Sequence, residues 1–419
     1  MVDVAIIGGG AAGYYAAIQT ALLNPTLRIA LFEKGAMGLE KVKISGGGRC
    51  NVTHDALEPD FLASHYPRGE KALLGPFHHY GPKEVIAFFE SQGVPLKIES
   101  DGRMFPVANT SAAIIDCFTS LREKLGIALQ SKTVVKAIEP IVGSGWNILT
   151  ATETFSAKKV LMATGSSPKM TRMLEELGHG VELAVPSLFT FNIKDPRIEG
   201  LAGLSTPALV HLKLPGLKQK KALYAKGPLL ITHWGLSGPA ILKLSAWGAR
   251  LLYGLDYNFT ISVNFLPQYK HAQEVLEALH ALKKKDPKKT LFKWVPFGLP
   301  KRLWQSLLMH LEIPSDLIWA NITKSQLQSL SEGLSTSEFE VNGKSTFKEE
   351  FVTAGGIKLK EVSFTDAQSK KFPGLYFAGE LLNIDAITGG FNFQNAWTTA
   401  YLAAKGMVQS LDASNSTTK

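Results

Sequence analysis

The chain has 419 residues, 45% of them hydrophobic and 19% charged, which sets aside a disordered or fibrous protein and predicts two or three domains with ample core. Two cysteines, Cys50 and Cys117, are too few for a disulfide framework, and no CxxC or Cys/His cluster marks a metal site. A reducing cytoplasm is the expected location. The formal charge of +9 gathers in local runs: Lys218 with Lys220 and Lys221, "KKKDPKK" at 283–289, and Lys370 with Lys371. These read either as solvated faces or as a surface for a polyanion such as RNA or a phosphorylated substrate.

"VDVAIIGGGAAGYYAAIQTALL" opens with an apolar strand, Val2 to Ile7, and runs into a glycine-rich turn. The stretch lacks a basic leader region, carries Asp3 and is broken by four glycines, so neither a signal peptide nor a membrane segment is expected. An Ala-rich amphipathic helix follows to about Leu23, then a second strand, "RIALFE", ending on Glu33, 20 residues beyond Gly13. Strand, GxGxxG, helix, strand and terminal acid make one βαβ unit with the dinucleotide fingerprint. Gly8 permits the tight turn, Gly10 lets the backbone approach a pyrophosphate, and Gly13 permits close packing of helix on strand. The helix start offers unsatisfied N–H groups to phosphate. Glu33 can accept hydrogen bonds from ribose hydroxyls and would repel a 2′-phosphate.

Next comes "KISGGGRCNVTH" at 43–54, with three glycines followed at once by Arg49, Cys50 and Asn51. "KKVLMATGSSP" at 158–168 is an apolar strand ending in Ala163-Thr164-Gly165. Between about 190 and 350 the pattern changes to short β segments, "LFTFNI", "PALVHLKL" and "NFTISVNFL", with a Lys-rich helical section at 268–333. This predicts an inserted substrate domain, 191–350, between segments 1–190 and 351–419 of the dinucleotide-binding domain. "THWGLSGP" at 232–239 supplies Thr232, His233 and Ser237 ahead of a helix starting near Pro239. His233 reads either as a general acid or as a histidine helping to close that turn. Arg103 reads as an anion-binding or a structural arginine. The closing segment, 373–407, is a strand, an Ala-Gly-Glu turn, a Gly-rich loop and a helix, before the polar tail "SLDASNSTTK".

The ATG strand end and the AGE turn favour FAD over a plain NAD dehydrogenase. Glu380 would face the ribityl and phosphate region. Gly389, Gly390 and Phe391 would bring a helix N-terminus near the flavin. A second GxGxxG is absent, so NADH or NADPH, as a possible electron donor, is expected to visit the substrate's own site.

Five blocks, "EKVKISGGGRCNVTH", "GRMFP", "THWGLSGPAILKLS", "TAGGIKLKEV" and "GLYFAGELLNIDAITGGFNFQNA", together resemble the YhiN/BaiN-type family of FAD-binding oxidoreductases, over nearly the whole chain. The resemblance implies a Rossmann-like α/β FAD-binding domain of the two-dinucleotide-binding type, with an inserted β-rich domain and helical subdomain. Local departures at His54, Asn383, Ala386 and Phe391 bear on substrate preference, not on the cofactor. The glycine run would then pass over the flavin portion with positive φ, and Arg49 and Asn51 would offer donors to flavin, phosphate or substrate. Cys50 is expected to pack rather than react.

The full FAD set is Gly8, Gly10, Ala12, Gly13, Glu33, Lys34, Lys41, Ser45, Gly46, Gly47, Gly48, Arg49, Cys50, Asn51, Val135, Ala163, Thr164, Gly165, Gly379, Glu380, Gly389, Gly390, Phe391 and Asn392. His233 and Arg49 are the catalytic candidates, and no metal is expected. The implied function is reduction of a polarised C=C bond, in uracil of ribosomal RNA or in an unsaturated 3-oxo compound. An amine oxidase of the aminoacetone-oxidase kind and a non-catalytic FAD-containing RNA binder are the alternatives. The positive charge favours an RNA partner, but no RNA-binding signature accompanies it.

Overall fold

Five of the six residues of β1 (Val2–Ile7) are buried, as expected of a strand covered on both faces of a parallel sheet. In the computed structural model, which describes residues 1–214, 223–345 and 352–416, β1 lies between β2 (Ile29–Phe32) and the strand Thr154–Met162, parallel to both. The short strand Ala128–Gln130 extends the sheet beyond β2. Beyond Thr154–Met162 run Trp146–Leu149 and Ala137–Pro140, both antiparallel, while Leu375–Phe377 also pairs with it in parallel. The closing segment therefore returns to the sheet one strand away from the fingerprint strand, although they are more than three hundred residues apart.

Helix α1 (Ala11–Leu23) differs from the amphipathic helix read from the sequence: every residue from Ala12 to Ala21 is buried. It packs against the sheet and against the closing helix, Phe391–Ser416. Tyr15 meets Trp397 at 5.0 Å and Phe88 at 4.8 Å between ring centroids. The closing helix continues to Ser416, through much of the segment read as a polar tail.

The chain divides into two compact units, Met1–Val185 with Lys348–Lys419, and Pro186–Phe347. The second holds a seven-stranded antiparallel sheet. Its strand Ser205–Lys213 alternates exposed and buried positions, the period-two signature of one wet face. The helices Ala272–Lys285, Lys301–His310 and Lys324–Ser335 share one apolar core with that sheet, centred on Trp304, Trp319 and Phe339. Some of the basic runs are used internally. Lys283 donates to the Ile322 carbonyl (2.7 Å), Lys289 pairs with Asp286 (2.8 Å), and Lys371 pairs with Glu361 (3.1 Å). Lys218, Lys220 and Lys221 lie outside the described residues. Among the described residues no helix is long and apolar enough to cross a membrane.

Candidate cofactor and active site

The fingerprint turn is built by close approach. A Cβ on Gly13 would lie 1.8 Å from the Gly8 carbonyl oxygen, and one on Gly8 would lie 2.4 Å from that of Ala163. Strand, helix and the Ala163–Gly165 corner meet there with no room for a side chain. Gly10 is the opposite case: a Cβ there would meet nothing within 4 Å. Gly10 caps α1 without a side-chain hydrogen bond, so the first-turn amides are left for a phosphate. The buried Thr164 hydroxyl beside this turn has no hydrogen-bond partner. Glu33 follows β2, its carboxylate accepting from the amides of Gly9 (2.8 Å) and Gly35 (2.6 Å). That fixes the acid against the turn, and each oxygen keeps a lone pair for a ribose hydroxyl. Ala12 faces Gly379, Val135 is buried in the core, and Lys34 is exposed.

The glycine run has the predicted backbone but not the predicted loop throughout. α2 (Glu40–Gly48) begins as helix and breaks at Ser45, after which Gly46, Gly47 and Gly48 take φ of 57°, 67° and 81°. Other L-residues would each be strained there by about 1–2 kcal/mol. Cβ atoms on Gly47 and Gly48 would meet nothing within 4 Å, so this backbone is open to a ligand. Ser45 donates to the Val42 carbonyl at 2.8 Å. Cys50 is fully buried, also at positive φ, and burial pushes its thiol up to about 12. It packs. Lys41 pairs with Glu380 at 2.7 Å, joining α2 to the Ala-Gly-Glu turn. Arg49 pairs with Glu99 at 2.6 Å and lies over the Phe105 ring at 4.0 Å. Arg103 reaches both Glu99 (3.0 Å) and Asp101 (2.8 Å).

A polar seam then joins this segment to the closing helix. With its amide turned to satisfy its neighbours, Asn51 donates to the carbonyls of Thr53 (3.0 Å) and Met104 (3.2 Å), and its oxygen accepts from the Gly390 amide (2.9 Å). The Thr53 hydroxyl donates to Gln394 at 2.5 Å, and the Trp397 indole donates to the Val52 carbonyl at 2.9 Å. Asn51 thus holds the two glycine loops together. The Asn392 side chain makes two bonds to the Ala386 backbone, and the Gly379 amide donates to Thr399 at 2.9 Å.

A second seam has no counterpart in the sequence reading. The Arg68 guanidinium binds the fully buried Asp385 carboxylate through two donors, one at 2.5 Å. The Ile387 amide donates to the His65 carbonyl (3.1 Å), and the Tyr66 hydroxyl to that of Phe391 (2.6 Å). The Phe391 ring stacks on His65 at 4.3 Å and on His54 at 4.7 Å. Asp385, an acid within the apolar block "LLNIDAITGGF", was the one available signal, because a buried carboxylate demands a cation.

His233 is exposed, in the second unit, on a turn that Thr232 closes through its amide (2.8 Å) and hydroxyl (3.1 Å) to the Gly235 carbonyl. Ser237 accepts from the Thr190 hydroxyl at 2.9 Å. Among the described residues no cluster suits a metal ion.

Residues 2–406 match the HI0933-like protein Rossmann domain. The chain belongs to the HI0933-like family. A ribosomal RNA dihydrouridine synthase of Haemophilus influenzae is 29% identical, over 95% of this chain and 96% of its own length. A 3-dehydro-bile acid delta(4,6)-reductase of Clostridium scindens is 26% identical, over 97% of this chain and 99% of its own length. The fold is similar to that of the Escherichia coli quinol fumarate reductase subunit FrdA, at TM-score 0.52 and 15% identity, covering 99% of this chain and 71% of that one. It is also similar to a 3-ketosteroid-delta4-(5alpha)-dehydrogenase from Rhodococcus jostii, at TM-score 0.50 and 14% identity, covering 96% of each chain.

The HI0933-like family places the chain among FAD-dependent oxidoreductases, and the residues fit that cofactor. The bare Gly10 helix start suits a pyrophosphate and the orphaned Thr164 hydroxyl a polar ligand atom, with Glu33 set for a ribose. The open glycines at 47 and 48 leave backbone exposed for a ring system.

Proposed function

We propose that this HI0933-like protein is an FAD-dependent reductase, driven by NADH or NADPH, of a carbon–carbon double bond conjugated to a carbonyl. One observation carries the reading. Two relatives matched over nearly their full lengths bear names, dihydrouridine synthase and delta(4,6)-reductase, that describe the same chemistry on different molecules. Bound FAD supplies the hydride that such a saturation needs.

The chain's own residues supply the rest. α1's first turn and Glu33 would hold the nucleotide end of FAD, and the open Gly46–Gly48 backbone would take its redox end. Arg49 has N–H groups beyond the one given to Glu99, and these would hold a carbonyl oxygen and favour negative charge developing on it. Of the two acceptor classes, the net charge of +9 supports RNA, since phosphate contacts drive RNA affinity. A cytoplasmic location accords with that partner.

The test is product analysis. Purified protein with NADH or NADPH should add two hydrogens to uracil in RNA from a strain lacking the protein, or to 4-androstene-3,17-dione. Oxygen uptake with hydrogen peroxide release on small amines, and no saturated product, would assign an amine oxidase instead.

A further inference from the structure

We propose that the lysine-rich end of the second unit binds the phosphate backbone of an RNA acceptor; this rests on the RNA arm of the reading above. Seven lysines lie in residues 283–294 and 316–324, against two acids, Asp286 and Asp316, a net of +5 out of the chain's +9. A polyanion neutralises such a concentration of like charge and gains affinity by releasing its own counterions.

The two stretches are one place in the fold. The Lys283 ammonium donates to the Ile322 carbonyl at 2.7 Å. The amides of Leu291, Trp319 and Ala320 donate to the carbonyls of Leu317 (3.0 Å), Lys289 (3.0 Å) and Pro287 (2.8 Å). Lys289 closes on Asp286 at 2.8 Å and lies 4.7 Å from the centre of the Trp294 ring. Those two lysines build the frame. Lys284, Lys285, Lys288, Lys293 and Lys324 stand exposed on it, and none of the five has an ion pair or side-chain hydrogen bond among the described residues.

Folding accounts for at most two of these five. Lys284 and Lys285 end the helix Ala272–Lys285, where a cation suits the helix dipole. Lys324 is the first residue of the helix Lys324–Ser335, the end at which the dipole disfavours a cation. That start is already capped by Thr323, whose hydroxyl accepts from the Gln326 amide at 3.1 Å. Lys288 and Lys293 lie on neither helix.

RNA fits this surface better than a lipid headgroup layer does. Helices that lie on membranes set exposed large apolar side chains beside their lysines, and no large hydrophobic residue within 283–294 or 316–324 is exposed. Lysine contacts to phosphate carry no sequence information. The surface therefore supplies affinity for the strand, not the choice of base.

Two experiments on the FAD-loaded full-length protein test the proposal. In the first, lysines are briefly acetylated with and without a uridine-containing transcript and read by peptide mass spectrometry. The transcript should slow labelling of Lys284, Lys285, Lys288, Lys293 and Lys324 severalfold and leave the exposed Lys71 and Lys124 unchanged. Protection spread evenly over all exposed lysines would overturn the proposal. So would protection by phosphatidylserine vesicles or poly-glutamate but not by the transcript.

The second experiment follows transcript binding by fluorescence anisotropy across a series of KCl concentrations. Lys284→Gln/Lys288→Gln/Lys293→Gln/Lys324→Gln should make the plot of log affinity against log salt shallower by about 0.7 for each lysine lost. A control, Lys71→Gln/Lys83→Gln/Lys124→Gln/Lys169→Gln, removes the same charge from exposed positions of the first unit and should keep the wild-type slope. Equal slopes in the two variants refute the assignment, as does a wild type that does not bind the transcript. If the wild type binds as predicted but its reduced flavin is reoxidised by neither the transcript nor 4-androstene-3,17-dione, the reductase reading fails and the RNA surface stands.

Discussion

The Arg68–Asp385 pair shows how a single residue can decide the state of a loop. Asp385 is fully buried, and removing one partner leaves an uncompensated charge in a low-dielectric site. Arg68→Met should therefore destabilise the protein by about 3–5 kcal/mol in urea unfolding and lower its flavin content. Cys50 is the converse case, a chemically suggestive residue that the fold has silenced. With its thiol pushed up to about 12, and that of Cys117 to about 11, neither is thiolate at neutral pH. Iodoacetamide should leave both cysteines of the native protein unmodified over a time in which both react in urea, as read by intact mass. Fast native labelling of Cys50 would reopen a redox role.

Between elements, close approach and hydrogen-bonded seams carry the site. Gly13→Ala drives a methyl into the Gly8 carbonyl 1.8 Å away, and the wedge falls between β1 and α1. A loss of about 1–3 kcal/mol is expected, with most of the bound FAD lost on gel filtration. Gly47→Ala meets no atom but keeps φ near 67°. It should cost about 1–2 kcal/mol from backbone strain alone.

A further seam lies under the strand Leu375–Phe377. His179 Nδ1 bonds Glu361 at 3.0 Å, and Nε2 lies 3.3 Å from the Ser369 hydroxyl, which also accepts from the amides of Lys371 and Phe372. Burial holds the His179 imidazole below its ordinary 6.5, against the opposing pull of Glu361. The unfolded chain then binds the extra proton first. The stabilisation is fully present above pH 6.5 and is lost as pH falls through the lower folded-state value. Urea midpoints should drop on acidification in that window, and His179→Gln should flatten the drop. An unchanged slope in the variant would show that other groups carry it.

For the whole molecule, what could be read in the sequence divides by contact range. The βαβ unit was legible because turn, strand and acid lie within Val2–Glu33, and periodicity and glycine spacing report on neighbours in the chain. The positive φ of Gly46–Gly48 was legible for the same local reason. The burial of α1 on all faces was not, since the helix that covers it begins at Phe391. Neither was the use of Asn51 to bind Gly390 rather than to stand free, nor the joining of His65 and Arg68 to residues 385–387. Partners 317 residues apart leave only an indirect trace, such as the lone acid Asp385 in an apolar block. The positive charge likewise reads as one surface property, yet Lys283, Lys289 and Lys371 are used inside their own units.

The central claim is that electrons pass from a pyridine nucleotide through FAD to a conjugated double bond, and anaerobic mixing tests it most directly. NADH or NADPH should bleach the oxidised-flavin absorbance of the purified protein within seconds. Uridine-containing RNA or 4-androstene-3,17-dione, added without oxygen, should then restore it. A flavin band that neither nucleotide bleaches, or one that only oxygen restores, would contradict the account.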